Sequence, residues 1–315
     1  MGQRLSQPHR RPSTESKAVA PLPKSDVTVP EGFKWVDGRG FKVGGNPTYP
    51  LPNDLYETNR LNLQHYLIRL VFSGYFMSPV KEHLERGIKV LDVGCGTGIW
   101  SVECAAQYPA SDFIGTDIVD AFSRTAPSAP ANCRFELADT LKGLPFPDGS
   151  FDFVFQRMQL SSFREDEWPT VITELVRVVC PGGWIELVDM DGWLYGAGPK
   201  TTEFCTKLRT VLKMRGIVPS IVREVGGMLE ATGIEDVVHD HRSIPVGWGP
   251  AEVAVPSTKN LVAFFESMKP TMLLVLGIPE LEYDTLIGEA SEELNTYQTY
   301  WNIDYAFGRK PLSTE

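Results

Sequence analysis

The chain alternates between short apolar runs, which read as strands, and stretches with apolar residues three or four apart, which read as helices. The clearest such segment is 88–107. Ile88-Lys89-Val90-Leu91-Asp92-Val93 is broken only by Lys89 and Asp92 and predicts a buried parallel strand. Glycines follow at every second position, at 94, 96 and 98. The stretch 97–107 predicts a helix with Ile99, Val102 and Ala106 on its buried face. The same patterns predict strands over 111–117, 132–139, 151–156 and 184–188. A helix is expected over 165–180, burying Trp168, Ile172, Leu175 and Val179 and ended by Pro181-Gly182-Gly183. Upstream, 31–50 reads as an ordered lead-in with two small strands. A helix over 54–73 is capped by Asp54, with Glu57 completing a capping-box-like start. Beyond Asp191 the spacing predicts helices over 201–214, 220–232, 260–276 and 280–295 and strands over 235–246 and 297–309. The alternation in 297–309 marks the last strand as antiparallel.

A strand, a glycine turn and a helix form the first unit of a nucleotide-binding α/β fold, in which the backbone must turn tightly and approach its ligand closely. The dinucleotide spacing G-x-G-x-x-G is not met, because Ile99 stands where its third glycine belongs. Instead Asp92 precedes Gly94-x-Gly96-x-Gly98. The second predicted strand ends in Asp117, whose carboxylate can accept from both hydroxyls of a ribose. The expected architecture is a doubly wound, Rossmann-like, seven-stranded sheet with an antiparallel last strand and a helical lid.

The pattern D-x-G-x-G-x-G resembles the first motif of class I S-adenosylmethionine-dependent methyltransferases. The stretch from Tyr49 to His65, Y-x-L-P-x-D-x-x-E-x-x-R-L-x-x-Q-H in outline, followed by Asp92 to Trp100, is similar to the fungal LaeA-like methyltransferases of secondary metabolism. The resemblance covers roughly 49–195. The phrases around Phe146 to Val154 and Cys180 to Leu187 match it too. It implies S-adenosylmethionine as cofactor, held by Tyr49, Arg60, Asp92, Gly94, Cys95, Gly96, Gly98, Asp117, Ile118, Asp139, Thr140, Gln156 and Arg157. In it, Arg60 binds the methionine carboxylate through both oxygens, and Asp139, beside Thr140, accepts from the adenine amino group. On helical spacing alone, Glu57, Arg60 and Gln64 read equally well as a solvated stripe. The implied reaction is methyl transfer to a small molecule or a protein. The family also includes regulators whose acceptor is unclear, so a cofactor-binding regulator acting through protein partners stays open beside it.

Composition narrows the rest. The chain has 315 residues, 42% hydrophobic and 22% charged, which suits a globular protein with a large core. A net charge of −10 argues against general nucleic-acid binding. Five cysteines without C-x-x-C spacing read as reduced thiols. Residues 1–30, rich in Pro and Ser, read as a disordered basic tail, with Arg4, Arg10, Arg11, Lys17 and Lys24 against Glu15 and Asp26. Gly2 and Ser6 fit the N-myristoylation pattern, and the tail's basic residues would supply the second signal that one acyl chain needs. Cytoplasm is the default location. The nucleus, or peripheral membrane contact through acylated Gly2, is the alternative. The remaining divisions are a lead-in and cofactor-capping helix over 31–80, a cofactor-binding core over 81–195, and 196–315, which completes the fold and inserts the lid. No residue is assigned as catalytic. His65 reads as a satisfied structural histidine. The spacing of His239 and His241 is weak support for a metal, so none is expected. The loop after Gln156 lacks the N-P-P-Y type sequence of amino-group methyltransferases acting on bases or glutamine.

Overall fold

In the computed structural model, which describes residues 32–312, the predicted strands line up as one sheet preceded by a small hairpin. The tail, with its expected disorder and acylation at Gly2, lies outside the described residues. The hairpin is β1 (Phe33–Val36) and β2 (Arg39–Lys42), antiparallel. Helices α1 (Leu55–Phe72) and α2 (Lys81–Arg86) lead to β3 (Lys89–Val93), α3 (Ile99–Gln107), β4 (Asp112–Asp117), β5 (Cys133–Leu137) and β6 (Phe151–Arg157). Next come α4 (Trp168–Val178), β7 (Val179–Met190), α5 (Pro199–Met214), α6 (Val225–Ala231) and β8 (Glu235–Pro245). The described chain closes with α7 (Ala251–Leu276), α8 (Glu280–Glu293) and β9 (Tyr300–Arg309).

The sheet order is β5-β4-β3-β6-β7-β9-β8, with β9 antiparallel to both neighbours and the other pairs parallel. Strands run outward from β3 through β4 to β5, then resume on its other side at β6. That reversal opens a crevice at the carboxyl ends of β3 and β6, where ligands of such sheets bind. Four of the five β3 residues, Val90 to Val93, are buried, as a strand covered on both faces requires.

Several local expectations shift. The buried face of α3 is Trp100, Ser101, Cys104 and Ala105 rather than Ile99, Val102 and Ala106. Trp100 decides it: its ring stacks on Phe155 at 4.0 Å, and its Nε1 donates to the Tyr75 carbonyl at 2.8 Å. Helix α4 stops at Val178, and β7 begins at once, carrying the Pro-Gly-Gly turn as an irregularity against β6. The helix expected over 220–232 is a 3-10 turn (Pro219–Arg223) followed by α6. Helix α7 begins nine residues earlier than the spacing suggests, because it accommodates both Pro256 and Pro270. Asp54 does cap α1, accepting from the Glu57 amide. The Glu57 carboxylate does not turn back to close a capping box: it bonds Arg60 and Ser267. Helices α7 and α8 lie between β8 and β9 in sequence, and α7 packs along α1.

Candidate functional site

The three glycines after β3 all adopt left-handed backbone, with φ of +69°, +55° and +75° at Gly94, Gly96 and Gly98. Each has its own reason. At Gly94 a side chain would overlap Gln159, whose Nε2 donates to the Gly94 carbonyl at 3.0 Å. At Gly98 it would meet the Phe135 ring at 2.5 Å. At Gly96 an added Cβ would meet nothing within 4 Å, and the residue lines the main cavity. Gly94 and Gly98 are therefore set by packing, and Gly96 leaves a cradle. The Cys95 amide ties the loop to β4 by donating to the Thr116 carbonyl at 2.8 Å.

Asp117, at the end of β4, faces that loop. Its carboxylate accepts from the Gly96 amide at 2.8 Å and the Val119 amide at 3.1 Å. Burial nevertheless pushes its pKa up, against those bonds and the nearby Lys42. After β5, Asp139 accepts from the Leu141 amide at 3.1 Å and pairs with Lys142 at 3.0 Å.

At the end of β6, Arg157 reaches into the same cavity with no carboxylate in ion-pair range among the described residues. Burial pulls its pKa down. Its Nη2 lies 2.9 Å from His65 Nδ1, and His65 Nε2 lies 3.0 Å from Glu103, which also pairs with Arg69 at 2.6 Å. A guanidinium can only donate, so Nδ1 accepts and Nε2–H faces Glu103. Burial and then the Arg157 charge lower the His65 pKa to about 4.

That value carries a pH prediction. An unfolded histidine titrates near 6.5. The neutral, depressed His65 therefore contributes stability that is present above about pH 6.5 and lost as pH falls toward 4. A gap of about 2.5 units corresponds to about 3 kcal/mol. Between pH 7 and pH 4.5, the wild type should lose more stability than His65→Gln by most of that amount, measured from denaturant midpoints at both pH values. Parallel losses would mean that His65 is charged in the fold.

The cavity encloses about 640 Å³. Of the residues singled out from sequence, Tyr49, Gly94, Cys95, Gly96, Asp117, Ile118, Asp139, Thr140 and Arg157 line it together. Arg60, Asp92, Gly98 and Gln156 do not. Arg60 is buried and spent elsewhere: its Nε and Nη2 donate to Glu57 and its Nη1 to Asn260 at 3.0 Å. Asp92 is buried within β3 and accepts from Ser101 at 2.6 Å, with burial raising its pKa to about 6. Gln156 points into the core, its Oε1 without a hydrogen bond. Among the cavity's contributors that sequence reading missed are Arg164 and Arg215 from two separate loops, and Pro270, Thr271 and Leu274 of α7. No local spacing connects such residues. Only the exposed-looking positions in a predicted lid could have hinted at them. His239 lies 3.9 Å from Asp304, and His241 is exposed. Among the described residues no group of three or more His, Cys, Asp or Glu could hold a metal.

Residues 90–183 match the family model described as a methyltransferase domain. The secondary metabolism regulator laeA of Coprinopsis cinerea is 27% identical over 91% of this chain and 76% of its own. Methyltransferase str3 of Strobilurus tenacellus is 35% identical over 75% of this chain and 82% of its own. The chain belongs to the LaeA-like methyltransferases. It is an S-adenosylmethionine-dependent enzyme that passes a methyl group to an acceptor. In fold this methyltransferase is similar to phosphoethanolamine N-methyltransferase 2 of Haemonchus contortus, solved in complex with S-adenosyl-L-methionine. The TM-score is 0.50, with 16% identity over 86% of this chain and 62% of that one.

The cavity suits such a cofactor on its own chemistry. It offers an open glycine cradle, a carboxylate at the end of β4, and an unneutralised guanidinium at the end of β6.

Proposed function

We propose that this methyltransferase acts on a small molecule taken into the same cavity as the cofactor. What supports the reading is that one cavity is lined both by the glycine loop and by the lid residues Pro270, Thr271 and Leu274. Its size falls within the ~300–1,000 Å³ common for small-molecule sites. Within it, Asp117 would hold the ribose hydroxyls. Asp139, beside Thr140, would take the adenine amine. Arg157, not Arg60, would take the methionine carboxylate. The bound cofactor supplies a sulfonium methyl group open to in-line displacement. The protein's part is to align the acceptor, keep water out and hold the charges fixed. Neutral His65 and Glu103 orient Arg157 from behind.

The test combines labelled cofactor with the small-molecule and protein fractions of a source extract. Label should enter the small-molecule fraction with the wild type and stay out with Gly96→Asn. Asparagine tolerates the left-handed backbone of Gly96 and fills its cradle, so this variant should fold normally. Its affinity for S-adenosylhomocysteine should drop at least a hundredfold, about 2.7 kcal/mol. Label entering only the protein fraction would overturn the small-molecule reading. Unchanged affinity in Gly96→Asn would move the cofactor elsewhere.

A further inference from the structure

We propose that Arg215 forms an anion subsite on the acceptor side of the cavity, so that the methyl acceptor carries a carboxylate or phosphate group. This rests on the small-molecule reading above and narrows it to a substrate class.

Arg215 follows the last turn of α5 and lines the cavity. Its guanidinium is fixed in place, with Nη1 donating to the Pro47 carbonyl at 3.1 Å and the Thr48 carbonyl at 3.4 Å. Those bonds bind it to the segment that leads into Tyr49. The opposite edge is unused. Nε is shielded from water and has no hydrogen-bond partner, and no carboxylate lies in ion-pair range among the described residues. A shielded donor without an acceptor costs about 1–3 kcal/mol, so an unmatched guanidinium edge calls for a partner. A carboxylate or phosphate can meet a guanidinium edge with two parallel bonds.

A second arginine lines the same cavity. The Arg164 side chain packs against Gly216, where an added Cβ would meet it at 3.2 Å, and Arg164 too lines the cavity. It has no ion pair among the described residues. The acids that line the cavity already accept other hydrogen bonds. Glu167 accepts from the Arg164 amide at 2.7 Å, Glu57 is paired with Arg60, and Asp117 and Asp139 hold backbone amides. Arg164 and Arg215 therefore both line the cavity without an ion pair among the described residues, in a protein whose net charge is −10.

The probes are benzoate, phenyl phosphate and the neutral isostere benzamide. Each is titrated by ligand-observed NMR against the full chain saturated with S-adenosylhomocysteine. At least one anion should bind tenfold or more tightly than benzamide, and which of the two does so separates carboxylate from phosphate. Arg215→Gln should abolish the preference, and Arg215→Lys should restore part of it. Lys213→Gln, an exposed neighbour outside the cavity, should leave it intact. S-adenosylhomocysteine should bind wild type and Arg215→Gln equally by calorimetry. Equal binding of the anions and benzamide to the wild type would overturn the proposal, as would a preference that survives in Arg215→Gln. A tenfold loss of S-adenosylhomocysteine in Arg215→Gln would also overturn it, by moving Arg215 to the cofactor's end. If S-adenosylhomocysteine fails to bind the wild type at all, the cofactor placement under the parent reading falls first, and this proposal with it.

Discussion

Arg60→Ala is expected to destabilise the whole fold by about 3–5 kcal/mol while leaving the cofactor cavity's wall in place. The reason is the company Arg60 keeps. Its guanidinium and the Glu57 carboxylate are both almost fully buried, at 2.6 Å. Ser267 donates to Glu57 at 2.7 Å, and Asn260 accepts from Arg60, so the pair joins α1 to α7. Removing one partner of such a pair strands the other charge in a low-dielectric site, which accounts for the size of the effect. Arg69, exposed and paired with Glu103, should cost no more than about 1 kcal/mol on the same change. Denaturant titrations of the two variants give the comparison directly. A compensated double variant, Glu57→Leu with Arg60→Met, should recover most of the loss, since apolar side chains of similar volume can replace a buried ion pair. A hundredfold loss of S-adenosylhomocysteine affinity with no loss of stability in Arg60→Ala would return Arg60 to the methionine carboxylate.

The fate of Arg60 shows where legibility ended. The strand, glycine turn and helix over 88–107, and the acid closing β4, were readable because each is set by neighbours a few residues away. Local sterics require glycine at 94 and 98, and the alternation of strands and helices fixes the parallel sheet. The face of α1 was not readable in the same way. Glu57, Arg60 and Gln64 are buried polar residues at helical spacing, a pattern shared by a solvated stripe and a ligand-binding face. What decides between them is α7, which lies two hundred residues on. Its start was itself hidden by Pro256, a residue that usually ends helices. The same distance hid Arg215, whose role depends on the carbonyls of Pro47 and Thr48. Asp92 and Gln156 fall outside the cavity lining for a different reason. Both sit on strands whose ends reach the cavity, but a strand alternates its side chains between faces, and a buried acid inside the sheet looks the same in sequence as one at its edge.

Asp117→Ala should weaken S-adenosylhomocysteine at least a hundredfold, and the loss should belong to the ribose. The carboxylate is already held by two backbone amides, from Gly96 and Val119, so it is oriented before any ligand arrives. Burial raises its pKa, which means that its charge is poorly solvated and gains from further donors. Two ribose hydroxyls would supply them, each bond to a charged acceptor contributing about 1.5–3 kcal/mol. Alanine also leaves the two amides without an acceptor, so the loop could loosen and lower affinity for a reason unrelated to ribose. A double-mutant cycle separates the two effects. S-adenosylhomocysteine and its 2′,3′-dideoxy analogue are each measured by calorimetry against wild type and Asp117→Ala. If Asp117 holds the hydroxyls, the wild type should prefer the natural ligand about a hundredfold, and the variant should bind the two within about threefold of each other. Loop loosening alone would lower both affinities in parallel and keep the preference. That outcome would assign Asp117 to shaping the Gly96 turn, with some other group contacting the sugar.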